Sequence, residues 1–561
     1  MSSGEENSTR ETPQAVEVQR TEAAQTRRAA VLDSAHLGDI EGAFGRISVG
    51  ETEHARTWRT RLLTLLAIVG PGIIVMVGDN DAGGVATYAQ AGQNYGYSLL
   101  WVLLLLIPVL IVNQEMVVRL GAVTGVGHAR LINERFGRGW GWFSVGDLFL
   151  LNFLTIVTEF IGISLAAAYI GISKYVVVPI SAVALVAIMA SGSFRRWERA
   201  MFVFIAVTLL QIPMLLMSHP QWKQAAKSFV VPSISGGVSS DAVLLIIAIV
   251  GTTVAPWQLF FQQSNVVDKR ITPRFMGYER ADTVLGAFVV VVGAAALMMT
   301  GEWAARSTNT IGGFTDAGAT AHLLGEHRPV LGSVFAIVLM DASIIGAAAV
   351  QRVFQSEYVA EGVTGGQGHR GFSDAKQFYL SYTAMVAVAA AIVLIPGAPL
   401  GLITTAVQAL AGLLLPSASV FLLLLCNDRE VLGPWVNRAW LNWVAGLIVG
   451  ILLLLSGILM ATTLFPNLNV VAVTGYLTLA LVILGAAATP VLRWLDRRQP
   501  ARPKPQLPAR GVDRSTWRMP PLALLEPVTW SPGTRLAMVA LRAYLVAGAL
   551  LLVVKAIQLS H

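Results

Sequence analysis

The chain has 561 residues, 55% of them hydrophobic and only 13% charged, about half the charged share of roughly 25% usual in soluble domains. That scarcity excludes a soluble globular protein. The net charge of +7 does not point to nucleic acid, because the charges gather near the ends: of 40 basic and 33 acidic residues, 17 lie in residues 1–60 and 11 in residues 491–533.

Residues 1–60 hold seven Arg and ten acids, are rich in Glu, Ser, Thr and Gln, lack a helical apolar period and read as a disordered cytoplasmic tail. No short apolar segment near the start reads as a cleaved signal peptide. Apolar stretches follow near 61–87, 97–119, 146–170, 174–192, 199–217, 241–263, 281–300, 328–357, 376–396, 400–426, 438–463, 470–492 and 536–557. That makes about thirteen spans, each able to cross a hydrocarbon core of roughly 30 Å. The expected fold class is an all-α polytopic membrane protein. Its partner in bulk is the lipid bilayer, and nothing predicts an oligomeric state.

Basic residues concentrate in alternate loops: Arg130, Arg135 and Arg138; Arg195, Arg196 and Arg199; Lys269, Arg270, Arg274 and Arg280; Arg370 and Lys376; Arg429 and Arg438; and eight more in 491–533. Such loops face the cytoplasm. The pattern predicts a cell-membrane protein with its N-terminus inside and its C-terminus outside. Arg542 and Lys555 are placed to snorkel from opposite ends of the last helix. The one cysteine, Cys426, excludes a disulfide scaffold and a thiolate metal cluster, and reads as a small apolar residue at a helix end.

Two spans depart from plain Leu, Val, Ala and Ile. Span 1 contains Gly78-Asp79-Asn80-Asp81-Ala82-Gly83-Gly84, and span 6 contains Gly251-Thr252-Thr253-Val254-Ala255-Pro256-Trp257-Gln258. Glycines with paired acids in one, and Pro256 in the other, predict helices broken within the membrane. Backbone of that kind survives at such depth only where protein buries it or where water and ions satisfy it. Breaks at corresponding places in two five-helix halves point to an inverted-repeat transporter with its site between them. Free carbonyls beside a buried carboxylate make an oxygen-rich, negative site suited to a hard cation.

Several stretches of the chain resemble the NRAMP divalent-metal transporters. They are Pro71-Gly72, Asp81-Ala82-Gly83-Gly84-Val85-Ala86-Thr87, Gln90-Ala91-Gly92 and the run Tyr95 to Trp101; then Arg119-Leu120-Gly121, Glu159-Phe160-Ile161-Gly162, Arg195 to Glu198, Gly251 to Pro256, and Asn427-Asp428-Arg429. The resemblance implies a LeuT-type fold with a ten-helix core over 61–427. Outside it come two peripheral helices within 438–492, a basic cytoplasmic loop at 493–533 and an additional transmembrane helix at 536–557. It also implies a metal site at Asp81, Gly78, Gly84, Thr252, Ala255 and Gln258, with Asp79, Asn80 and Glu159 in the vestibule or pathway.

The departures matter as much as the matches. Gly84 stands where the family has an amide ligand, Ala255 where it has a thioether, and Leu414 where it has a metal-facing Gln, while Gln408 matches. Loss of soft donors favours magnesium, calcium or manganese over softer metals, and the smaller side chains should widen the cavity for a hydrated ion. These changes resemble the NRAMP-related magnesium transporters. Ile156 replaces an acid one turn before Glu159, Trp257 and Gln262 replace two histidines, and all eight histidines lie outside the spans or at their edges. Transport driven by gradient and potential alone is therefore expected; for a divalent ion the potential is worth about 4.6 kcal/mol per 100 mV.

Other polar residues carry plainer expectations. Glu115 and Arg119 are spaced as an i, i+4 ion pair. Glu159 either pairs with a basic residue or lines the inner exit; Gln258 either meets a hydrated ion or joins two helices. Asp341, Gln351, Arg352 and Glu357 are expected in structural roles in span 8. The expected function is uptake of Mg2+, and also Mn2+, by alternating access, with no cofactor. The alternatives are a proton-coupled Mn2+/Fe2+ importer, an amino-acid transporter of the same fold, disfavoured by the paired acids, and a membrane enzyme, for which no motif appears.

Overall fold

The structure, a computed structural model, describes residues 39–47, 57–190, 194–354, 376–465, 468–498 and 514–559, apart from 516, 521, 523, 524, 526, 529 and 531. The described part of the expected tail is not all unstructured. Strands β1 (Ile40–Glu41) and β2 (Arg46–Ile47) pair antiparallel, with Ile40 opposite Ile47 and Glu41 opposite Arg46. Burial of Ile40 and Ala43 suffices to fix this hairpin, a signal too short to stand out from polar surroundings.

The first half runs through α1 (Trp58–Ile68), α2 (Pro71–Gly78), α3 (Ala82–Tyr95), α4 (Leu100–Thr124), α5 (His128–Phe136), α6 (Arg138–Tyr169), α7 (Lys174–Ala190), α8 (Phe194–Thr208) and α9 (Gln211–Met217). After the short α10 (Trp222–Val230) the second half comprises α11 (Ser240–Thr253), α12 (Pro256–Asp268), α13 (Met276–Thr308), α14 (Ala317–His327), α15 (Pro329–Phe354), α16 (Lys376–Leu394) and α17 (Leu400–Cys426). Then come α18 (Arg429–Leu432), α19 (Ala439–Leu464), α20 (Val470–Arg498) and α21 (Pro532–Leu559).

Among the described residues, eight helical stretches are long and apolar enough to cross a membrane, or nine with the α1–α2 pair, bent by 49°, counted as one span. Shorter apolar helices at Lys174–Ile188, Leu380–Leu394 and Val470–Ala486, together with α21, occupy the other expected spans. Both expected breaks are present. One lies between Gly78 and Ala82 and the other between Thr253 and Pro256, and Pro256 begins α12 at the first position, where a missing N–H costs nothing.

Glycines set how closely neighbouring helices approach. A Cβ on Gly92 of α3 would overlap Met298 O of α13, and one on Gly301 of α13 would lie 2.5 Å from Ala89 O. Between α11 and α17, a Cβ on Gly251 would overlap Gln408 O and the Gly412 amide, while one on Gly412 would lie 2.7 Å from Ile247 O. In a membrane, where lipid competes for apolar surface, such close backbone contact supplies much of the packing energy.

The expected basic loop departs from its reading at both ends: α20 continues to Arg498, and the described residues between Arg514 and Trp530 pack onto the bundle. Met519 N donates to Val123 O at 3.2 Å and Val528 N to Arg135 O at 2.7 Å. Trp435 Nε1 donates to Arg514 O at 2.7 Å, Trp517 lies against Gly433, and Trp530 stacks on Trp140 at 5.0 Å. The Arg542 guanidinium lies 4.2 Å from the Trp140 ring and donates to Gly139 O at 2.6 Å, at the start of α6. The side chain of Lys555 and residues Glu357 and Arg370 lie outside the described residues.

Candidate functional site

The site forms where the two broken helices meet. Helix α2 stops at Gly78, and Asp81 restarts the chain as the N-cap of α3, its Oδ1 accepting from Gly84 N at 2.7 Å. Four N–H groups lack partners at any helix start, and a carboxylate there satisfies one and meets the positive end of the helix dipole. Opposite, α11 ends at Thr253, Val254 and Ala255 are extended or irregular, and Pro256 begins α12.

Gly84 marks the contact between the breaks. A Cβ there would stand 2.6 Å from Asp79 O and 3.3 Å from Thr252 Oγ1. The room expected from losing an amide is thus not left open: the two broken segments close over it. Trp257 fills the space next to Gly78, where a Cβ would be 3.5 Å from the indole ring. Gln408 reaches from α17 so near Gly83 that a Cβ would overlap its amide.

The structure brings together most of the expected residues. Asp79, Asp81, Thr252, Ala255, Gln258 and Glu159 are all buried. Several of their oxygens, namely both carboxylate oxygens of Asp79, Thr252 Oγ1, Gln258 Oε1 and Glu159 Oε1, have no hydrogen-bond partner among the described residues. Buried polar atoms are nearly always paired, so this concentration of orphan oxygens marks a place for water or a cation. Gln258 also donates from Nε2 to Thr252 O at 3.4 Å, joining α12 to α11 across the break between them. Asn80 turns away from the breaks, with Nδ2 3.4 Å from Val290 O on α13.

Glu159 Oε2 accepts from Ala82 N at 3.2 Å, which brings the Glu159 carboxyl next to the N-cap residue Asp81. Gly346 on α15 makes the room, since a Cβ there would meet the Glu159 carboxyl at 2.7 Å. No sequence spacing links residues 81, 159 and 346; the pairing of helices does. Beside Ala82 lies a small cavity lined by Ala86, Thr158, Gly162, Asp316 and Thr404.

Other polar expectations resolve as structure. Glu115 pairs with Arg119 at 3.3 Å and with Arg280 at 2.6 Å, and Arg119 donates to Trp435 O at 2.8 Å. Arg352 pairs with Asp268, while Asp341 and Gln351 are buried in α15. Cys426 is buried at the end of α17. His128 is buried too, at the first position of α5 and 2.8 Å from Gln263 Oε1. Sequence reading missed Lys269, taken only as a loop charge; it forms a fully buried pair with Glu198 at 2.7 Å.

Broken helices packed back to back in two halves define a membrane transporter of the LeuT-type fold. A family model described as Nramp, natural resistance-associated macrophage protein-like, matches residues 72–462, and the chain belongs to that family, whose members are transporters and not enzymes. Among curated relatives, the divalent metal cation transporter MntH of Burkholderia ambifaria is 28% identical over 406 residues, covering 69% of this chain and 87% of the relative. MntH of Ralstonia nicotianae is 29% identical over 404 residues, covering 68% and 87%. Among solved structures, the manganese transporter of Eremococcus coleocola in complex with an aromatic bis-isothiourea substituted compound superposes with a TM-score of 0.57. It is 21% identical, over 77% of this chain and 95% of that one, a likeness of fold.

Proposed function

We propose that the chain moves divalent metal ions, Mg2+ first and Mn2+ also, into the cell by alternating access around Asp81, without obligatory proton transport. The carrying observation is the donor set at the two breaks: the Asp81 carboxylate, orphan oxygens of Asp79, Thr252 and Gln258, and no sulfur or imidazole. Hard oxygen donors suit magnesium, which sheds its waters reluctantly and so needs few direct protein ligands. In this reading Asp81 supplies charge, and oxygens around Gly78, Gly84, Ala255, Thr252 and Gln258 hold the waters of the hydration shell. The N-terminal face is cytoplasmic, in a cell membrane. The curated relatives, named as divalent metal cation transporters, support the cargo class.

The buried Glu159 carboxyl, bonded to Ala82 N beside the buried Asp81, favours a second reading. Two adjacent buried carboxyls resist ionising together, so the pair can hold one proton and release it when a cation arrives. That chemistry fits a proton-coupled Mn2+/Fe2+ importer. Uptake into proteoliposomes, with internal pH followed alongside, separates the two. Magnesium uptake without acidification, lost in Asp81→Ala, is the expected result; acidification in proportion to metal supports the second reading, and normal uptake by Asp81→Ala removes the site assignment.

A further inference from the structure

The joint between α1 and α2, on the N-terminal face, is held by charges that the ion site does not use. The Asp282 carboxylate on α13 accepts from Gly70 N at 3.1 Å, Gly72 N at 2.7 Å and Ile73 N at 3.3 Å, at the start of α2. Lys269, just past α12, donates to Ile68 O at 2.8 Å and Val69 O at 2.9 Å, where α1 ends. It also pairs with Glu198 on α8, and both side chains are fully buried. Gly70 is wedged between them: a Cβ there would overlap Glu198 Oε1 and lie 3.0 Å from Lys269 Nζ. If α2 swings to expose Asp81 on this face, these contacts have to part.

The hairpin lies over this joint. Gly42 approaches so closely that a Cβ would overlap Ala67 O and stand 3.1 Å from Lys269 Cε, and a Cβ on Gly45 would stand 3.0 Å from Ala67 Cβ. On the other side Arg199 Nε donates to Ala43 O at 3.2 Å, and the Phe44 and Phe202 rings meet at 4.5 Å. The hairpin therefore ties α1 to α8 and shields the Lys269–Glu198 pair from water. Separating opposite charges in dry surroundings leaves both unsolvated, whereas water admitted to the joint would stabilise each alone. Cover by the hairpin thus raises the barrier to opening.

We propose that residues Asp39–Ile47 are a latch on the transport cycle: docked, they hold the α1–α2 joint shut; released, they let the path from Asp81 open to the N-terminal face. The latch rests on the alternating-access reading and is independent of which metal is carried.

The full chain in proteoliposomes tests it, with Ala349→Cys as reporter. Ala349 is buried, its Cβ 3.9 Å from where one on Gly78 would lie, and the native Cys426 is buried as well. Labelling by a membrane-impermeant maleimide applied to the N-terminal face therefore reads opening to that face. The hairpin is released by Phe44→Asp and, separately, by Ile40→Asp. It is locked by Gly45→Cys with Ala67→Cys, whose Cβ atoms come within a few tenths of an ångström of disulfide spacing. We expect labelling to rise at least fivefold on release, to fall at least fivefold when locked under oxidation, and to recover on reduction, with Mg2+ uptake following in the same direction. Labelling within twofold of the parent in all three variants would overturn the latch. Latch-dependent labelling with no uptake of Mg2+ or Mn2+ by any variant would instead sink the metal reading and leave the latch standing.

Discussion

Asp81 carries two duties that substitution can separate. As the cap of α3 it accepts from Gly84 N; as an anion it faces the orphan oxygens of the second break. Asn keeps the cap, since Asp and Asn cap helices about equally, but removes the charge. Asp81→Asn should therefore melt in detergent close to the wild type while uptake falls by two orders of magnitude; Asp81→Ala should lose both, at a stability cost of about 1 kcal/mol. Melting curves beside radiometric uptake distinguish them. Gly84→Asn restores a donor that the resemblance puts here, yet the side chain would press on Asp79 O and Thr252 Oγ1. The expected outcome is a loss of about 1–3 kcal/mol, as in other overpacked sites, and a shift of preference from Mg2+ toward Mn2+ in competition assays. An unchanged Mg2+/Mn2+ ratio would remove Gly84 from the selectivity argument. At Glu159, conversion to Gln keeps the size but fixes the carboxyl as neutral. Uptake should persist with its pH dependence flattened, as read from initial rates over roughly pH 5.5–8.

At the scale of elements, helix contacts depend on glycines more than on apolar mass. Gly251→Ala drives a methyl into Gln408 O and the Gly412 amide, so α11 and α17 must part. Because backbone cannot yield as a side chain tip can, we expect a stability loss of at least about 2 kcal/mol, against a much smaller effect for Gly446→Ala, where a Cβ meets nothing within 4 Å. Equal thermal shifts for the two variants would refute the close-packing account. The sequence was most informative at this scale. Apolar runs, Pro256 and the glycines around Asp81 located both breaks, because a broken membrane helix needs residues that tolerate it. What it could not convey was which helix faces which. Glu159 lies next to Asp81 only because α6 packs on α3, and Gly346 leaves room only because α15 packs on α6. Lys269 and Glu198 are 71 residues apart, the one read as a loop charge and the other only as the end of a resembling run, so their burial together was invisible until the halves were assembled. Short segments were hidden for a different reason: the hairpin's few buried apolar atoms do not rise above the polar composition around them.

At the scale of the whole molecule, the segment 514–530 returns from beyond the family match to contact the end of α4, the end of α5 and the start of α6. Trp517 packs so near Gly433 that a Cβ there would overlap the indole. Trp517→Ala should cost about 3–5 kcal/mol if the site cannot collapse, seen as a lower melting temperature, while uptake per folded molecule stays within twofold. A selective loss of uptake at unchanged stability would mean that the segment takes part in the cycle itself. Its position also has a consequence for biosynthesis. Val123 O and Arg135 O receive their partners Met519 N and Val528 N only after nearly 400 further residues have been made, roughly 20–80 s at synthesis rates of about 5–20 residues per second. Until then the nascent first half carries unsatisfied carbonyls and bare aromatic rings at its surface. A chain cut short after α20 would keep every element of the family-matched region and still present the quality-control machinery with an unfinished protein.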